Sequence, residues 1–122
     1  MAGEHWLDEP EAEDFRAAES YLSLLVGPVA AAKLGKALRK ERTLTHYAAK
    51  DILRTSRLPL LGPDDPEVAN DLEKVKLGKK LSPVLLVHGD PLWVADGYHR
   101  VCASYHLDEK TQVPCRIVPR TP

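Results

Sequence analysis

Two short apolar runs, PVLLV at 83–87 and LWVA at 92–95, restrict the fold most, because only His88-Gly89-Asp90-Pro91 separates them. Compact apolar runs bounded by turn residues read as buried strands, and the Gly-Asp-Pro cluster supplies the turn between them. The second run leads directly into Asp96-Gly97-Tyr98-His99-Arg100, and a helical pattern follows from Gly97 to about Leu107. VPCRIV at 113–118 alternates faces and closes this half of the chain as a further strand. A strand pair feeding a helix and then another strand predicts a mixed α+β core.

The first half is helical by the same reasoning. Phe15, Ala18, Leu22, Leu25 and Val26 recur at three- and four-residue spacing, so 11–26 reads as an amphipathic helix stopped by Gly27-Pro28. Pro28 suits the first turn of a second helix, 28–40, with Ala30, Leu34, Ala37 and Leu38 on one face, and the two should form a helical hairpin. Leu44–Ala48 reads as a short strand and Asp51–Arg54 as a single helical turn. Pro59, Gly62, Pro63 and Pro66 mark a loop over 57–66. Asp64 or Asp65 caps the next helix, whose apolar face carries Val68, Leu72, Val75 and Leu77 and which ends near Gly78. The predicted order is helix, helix, short strand, helix, strand, strand, helix, strand. Its 122 residues suit one domain: a polar tail over 1–10 pinned by Trp6, the hairpin over 11–40, and the core over 44–118.

Charge and cysteine content narrow the class. No apolar run approaches the roughly eighteen residues of a membrane span, so no membrane partner is expected. The acidic N-terminus lacks the basic-then-apolar order of a secretory signal. Two cysteines, Cys102 and Cys115, are too few for a disulfide framework, so the expected compartment is the cytoplasm with both thiols reduced. The net charge of -1 hides an asymmetry. Glu4, Asp8, Glu9, Glu11, Glu13 and Asp14 fill 4–14. Lys33, Lys36, Arg39, Lys40, Arg42, Lys50, Arg54 and Arg57 crowd 33–57. That basic middle is either a set of solvated helix faces, the favoured reading, or a nucleic-acid patch.

The 94–106 segment, VADGYHRVCASYH, carries the candidate site. Helix phase puts Tyr98, Val101, Cys102 and Tyr105 on the buried face, His99, Ala103 and His106 on a neighbouring stripe, and Arg100 away from the core. His99 and Arg100 then stand in a first helical turn, where free N–H groups and the positive end of the helix dipole favour an anion. Gly97 lets the backbone approach a ligand closely, and Asp96 caps the helix, holds a metal ion or meets a sugar hydroxyl. The plain alternative is an ordinary turn with exposed polar residues.

Residues 44–118 resemble the ParB/sulfiredoxin-like superfamily in element order: a strand, a helix opened by DDPEV, the strand SPVLLV, and a strand ending in Asp-Gly-x-His-Arg before a helix and strand. Sulfiredoxins carry a similar Gly-Gly-Cys-His-Arg, and free-serine kinases of the superfamily an Asp-Gly-x-x-Arg form. The resemblance implies a small mixed sheet with packed helices and a turn that binds nucleotide phosphates. His99 and Arg100 match the pair that contacts phosphates in sulfiredoxins. Tyr98 stands where the catalytic cysteine of sulfiredoxins would be, so sulfinic-acid reduction is not expected. In the DDPEV helix, Glu67 replaces a lysine, and Asn70 and Lys74 occupy the positions of a serine and a threonine. Asn70 and Lys74 share a face at i and i+4 and still suit a phosphate. The Gly-Glu-Arg-Arg box of partition ParB proteins is not in this sequence, and neither is their helical DNA-binding tail, so DNA clamping is not expected. The hairpin lies outside the resemblance.

The expected ligand is a nucleotide or other small phosphorylated compound, with Mg²⁺ as the accompanying ion, held by Asp96, Gly97, Tyr98, His99, Arg100, Asn70 and Lys74. Phosphotransfer or nucleotide hydrolysis is one outcome, with Asp51 or Glu67 as a general base. A nucleotide-responsive module without turnover is another, and nucleic-acid binding through the basic hairpin a third. His99, Cys102 and His106 have a spacing that suits zinc, but Cys102 reads better as core, and so does Cys115. Tyr98 either stacks on a base or packs, and His46 and Lys50 flank the first strand without a specific role.

Overall fold

The computed structural model describes residues 5–121. It contains α1 (Ala12–Val26), α2 (Pro28–Lys40), β1 (Thr45–Ala48), α3 (Ala49–Ser56), α4 (Pro66–Lys76), β2 (Val84–Val87), β3 (Trp93–Asp96), α5 (Tyr98–Leu107) and β4 (Gln112–Val118). The four strands form one mixed sheet in the order β1-β4-β2-β3. β4 runs antiparallel to β1, pairing Thr45 with Cys115, and parallel to β2, pairing Val84 with Cys115. β2 and β3 form the antiparallel pair expected from their turn, with a register shift between Leu85 and Leu86. The fold is α+β.

Helices cover both faces of the sheet, which explains why PVLLV does not alternate in polarity. Leu85 and Val87 point into a cluster with Phe15, Ala18, Leu22, Ala31, Leu34 and Leu38 of the hairpin. Val84 and Leu86 point the other way, into a cluster with Ile52 and Leu53 of α3, Val68 of α4 and Val101 and Cys102 of α5. All four β2 side chains are fully buried, and each leucine so buried stabilises the fold by about 1.5–3 kcal/mol. β4 contributes Val113 and Cys115 to the second cluster and Val118 to the first. Arg116 of β4 is also buried on the hairpin side, where Nη1 donates to the carbonyls of Leu38 (3.2 Å) and Arg39 (3.1 Å) at the end of α2.

The hairpin turns at Gly27, whose φ of +85° favours glycine, with Pro28 opening α2 as expected. Two details of its faces differ from the sequence reading. Leu25 is exposed, because the α1 contact with the sheet ends at Leu22, and Ala31 rather than Ala30 is buried on α2. Asp65 is the cap of α4, with Oδ2 accepting from the N–H groups of Glu67 and Val68, both at 3.2 Å. Leu77 is exposed beyond the last turn of α4 and does not join its apolar face. The single turn expected at 51–54 is the longer helix α3, held because Ala49, Ile52, Leu53 and Ser56 form a buried stripe. Of the expected polar tail, residues 1–4 lie outside the described residues. Trp6 is buried and bridges Leu81, with Leu7 N–H donating to Leu81 O (2.8 Å) and Leu81 N–H to His5 O (2.7 Å). No helix among the described residues is long and apolar enough to cross a membrane.

Candidate functional site

The strand-to-helix turn puts β3, α5, α4 and α1 around one point. Gly97 has φ +108°, and a Cβ there would meet Val84 Cγ1 at 2.4 Å and Arg100 Nη2 at 2.9 Å. The glycine therefore lets the turn close against β2. No side chain caps α5, and its first helical bond runs from Val101 N–H to Gly97 O (3.0 Å). The N–H groups of Tyr98, His99 and Arg100 thus stand outside the helical ladder.

Asp96 does not cap the helix. Its Oδ2 lies 3.0 Å from Arg100 Nη2, one turn on. Arg100 does not point away from the core either: its side chain is only 15% exposed. Nη2 also donates to Pro83 O (3.4 Å), and Nη1 lies 4.0 Å from Asp14 Oδ1 of α1. Asp14 of α1 and the Pro83 carbonyl enclose the guanidinium on a side that an isolated helix leaves open. The same neighbours shift the buried stripe of α5 to Val101, Cys102, Ala103 and Ser104, leaving Tyr98 and Tyr105 half-buried. Arg100 Nε is buried without a partner among the described residues.

Beside this pair opens a cavity of about 260 Å³ lined by Glu67, Asn70, Asp71, Asp96, Gly97, His99 and Arg100. The structure thus brings together Asp96, Gly97, His99, Arg100 and Asn70. Lys74 is exposed and outside the lining, and acts on the site only through its charge near Asp71. Tyr98 turns to the other side of the segment, where its hydroxyl donates to Pro59 O, so it packs on the 57–66 loop. His99 Nδ1 lies 2.7 Å from Glu67 Oε2.

Two acids belong to the site that sequence reasoning did not single out. Asp14 lies buried in the first turn of α1, where Oδ2 accepts from Glu11 N–H (2.8 Å) while Oδ1 faces Arg100. Asp71 lies buried on α4 and lines the cavity. Each had a signal, since Asp14 precedes Ala18 by one turn and Asp71 lies three residues after Val68, on or beside an apolar stripe. Burial pushes the Asp96 carboxyl up to about 6, with Arg100 offsetting part of the rise and Asp14 adding to it. Burial also raises Asp71, against the pull of Arg100, Lys74 and His99.

The remaining candidates are separated from this point. Cys102 and Cys115 are buried free thiols, both raised by desolvation and so poor nucleophiles. His106 Nε2 lies 2.7 Å from Leu61 O, away from His99. No group of three or more potential metal ligands converges among the described residues. Asp51 pairs with Arg54 at 3.6 Å and lines a different cavity with Tyr47 and His88. In the basic middle of the chain, Arg39 pairs with Glu19, Arg42 with Glu9 and Arg57 with Asp90, which offsets much of its charge locally. Set against models of known protein families, curated proteins and solved structures, the chain matches none.

Proposed function

We propose that this cytoplasmic, ParB/sulfiredoxin-like protein binds the phosphate groups of a nucleotide, as the magnesium complex, in the cavity at the start of α5. The supporting observation is the uncapped first turn of α5, whose Gly97, His99 and Arg100 line the cavity together with Asn70. Helix N-termini and guanidinium groups favour the same ligand. The carboxylates decide its form. Glu67, Asp71 and Asp96 line the cavity, and they would repel a bare phosphate. Mg²⁺ keeps most of its waters and takes one or two carboxylates beside substrate phosphates, so a convergent cage of three ligands is not required. Asp71 and Asp96 would hold the ion, and its charge would offset theirs. His99 and Arg100 would orient the phosphates. Turnover would draw on Glu67, the acid nearest His99.

Isothermal titration with ATP, ADP, CTP and GTP, each with and without Mg²⁺, tests the proposal. Binding is expected with Mg²⁺ and about tenfold or more weaker without it, and weaker again in His99→Ala. The absence of heat with every nucleotide, in either condition, would overturn it. Chromatography of the nucleotide after incubation separates turnover from binding.

A further inference from the structure

A second depression lies on the other side of the Asp96–His99 segment. It measures about 300 Å³ and lies between α1, which supplies Ala17 and Tyr21, and the turn into α5, with Val94 and Ala95 behind it. The two depressions share Asp96, Gly97 and His99, so one ligand can span both. Their chemistry is opposite: ionic side chains dominate the first, while Tyr21, Tyr98, Val94 and Ala17 give the second an apolar, partly aromatic lining.

Tyr21 is not used by the core. The stripe of α1 that packs on the sheet is Phe15, Ala18 and Leu22. Ala17 and Tyr21 form a separate stripe one turn apart, and Tyr21 stays 39% exposed. Tyr98 is held with its hydroxyl on Pro59 O and its ring tilted 43° to His99, with centroids 5.4 Å apart. An exposed tyrosine thus lines the same groove as an aromatic pair, over an apolar floor.

We infer that this groove receives the nucleobase of the ligand, stacked by Tyr21 of the hairpin, while the phosphates lie across Gly97 in the ionic cavity. The inference rests on the phosphate-binding proposal and assigns the hairpin a part in recognising the ligand. Aromatic stacking on a base accepts any base, so all four should bind with similar strength.

The test compares Mg²⁺ complexes of ATP, GTP, CTP and UTP with that of inorganic tripolyphosphate, which has the phosphates and no base. Wild-type protein should bind the nucleotides about tenfold more tightly than tripolyphosphate. Tyr21→Ala, at an exposed position that spares the core, should remove most of that advantage and leave tripolyphosphate binding unchanged. Ala17→Gln, which fills the groove with a longer uncharged side chain, should do the same. Equal affinity for nucleotides and tripolyphosphate overturns the inference while the phosphate site stands, and so does nucleotide binding unaffected by both substitutions. Binding of neither ligand class overturns the phosphate proposal and this inference together.

Discussion

Arg100 Nη2 lies 3.0 Å from Asp96 Oδ2 across the glycine that joins β3 to α5, so the last residue of the strand and the third residue of the helix fasten the turn between them. Asp14 of α1 stands on the other arm of the same guanidinium. One arginine therefore ties the hairpin to the strand-helix corner, and its removal leaves two enclosed carboxylates facing each other.

Arg100→Ala should destabilise the protein by about 2–3 kcal/mol, since removing one partner strands the others in a poorly hydrated place. Urea denaturation measures it. The loss should be smaller when Asp96→Asn is introduced as well, because the stranded charge is then gone. Simple additivity of the two substitutions would show that the pair is not coupled.

Asp96 makes stability depend on pH with a definite sign. Its carboxyl is raised to about 6 in the fold, against about 3.9 in an unfolded chain. Between those values the folded state holds a proton that the unfolded state has released, so this contribution is complete below about pH 4 and is lost as pH rises through 6. The full range is up to about 3 kcal/mol. Denaturation at closely spaced pH values should show a fall over that window, flattened in Asp96→Asn. Binding of the magnesium–nucleotide complex should weaken toward pH 5.5, as Asp96 takes up a proton and loses its hold on the ion.

Gly97→Ala should cost about 3 kcal/mol, combining backbone strain at φ +108° with the overlap on Val84. Thermal unfolding reads the loss. A neutral result would mean that the corner is free to rebuild.

Asp65→Ala should cost about 1 kcal/mol through loss of the cap on α4, and Asp65→Asn much less. Nucleotide affinity should change little in either, because Asp65 lies outside the cavity lining.

What the sequence conveyed was mostly local. The β2–β3 pair, the Asp65-Pro66 start of α4, and the Gly27-Pro28 break are set by neighbouring residues, and each could be read from short stretches. The full length of α3 is not legible in the sequence because its stripe, Ala49, Ile52, Leu53 and Ser56, contains only two large apolar side chains. The candidate site was half legible. His99, Gly97 and Asn70 reach the cavity, but the enclosure of Arg100 involves Asp14 of α1 and the carbonyl of Pro83, which no periodicity within 94–106 can reveal. Asp14 and Asp71 were missed for a related reason: an acid on an apolar stripe looks like an edge residue until its partner arrives from a distant segment.

β4 is the last strand in chain order and yet an inner strand of the sheet, with β1 on one side and β2 on the other. During synthesis, everything before residue 112 therefore waits. β1 has no strand to pair with, β2 keeps one open edge, and the end of α2 lacks the guanidinium of Arg116. A chain halted short of β4 exposes two sheet edges ready to pair with another copy. Completion of the sheet is bound to arrive in one late step, and truncations that spare the whole candidate site but remove 112–118 should give aggregates, not a smaller folded protein.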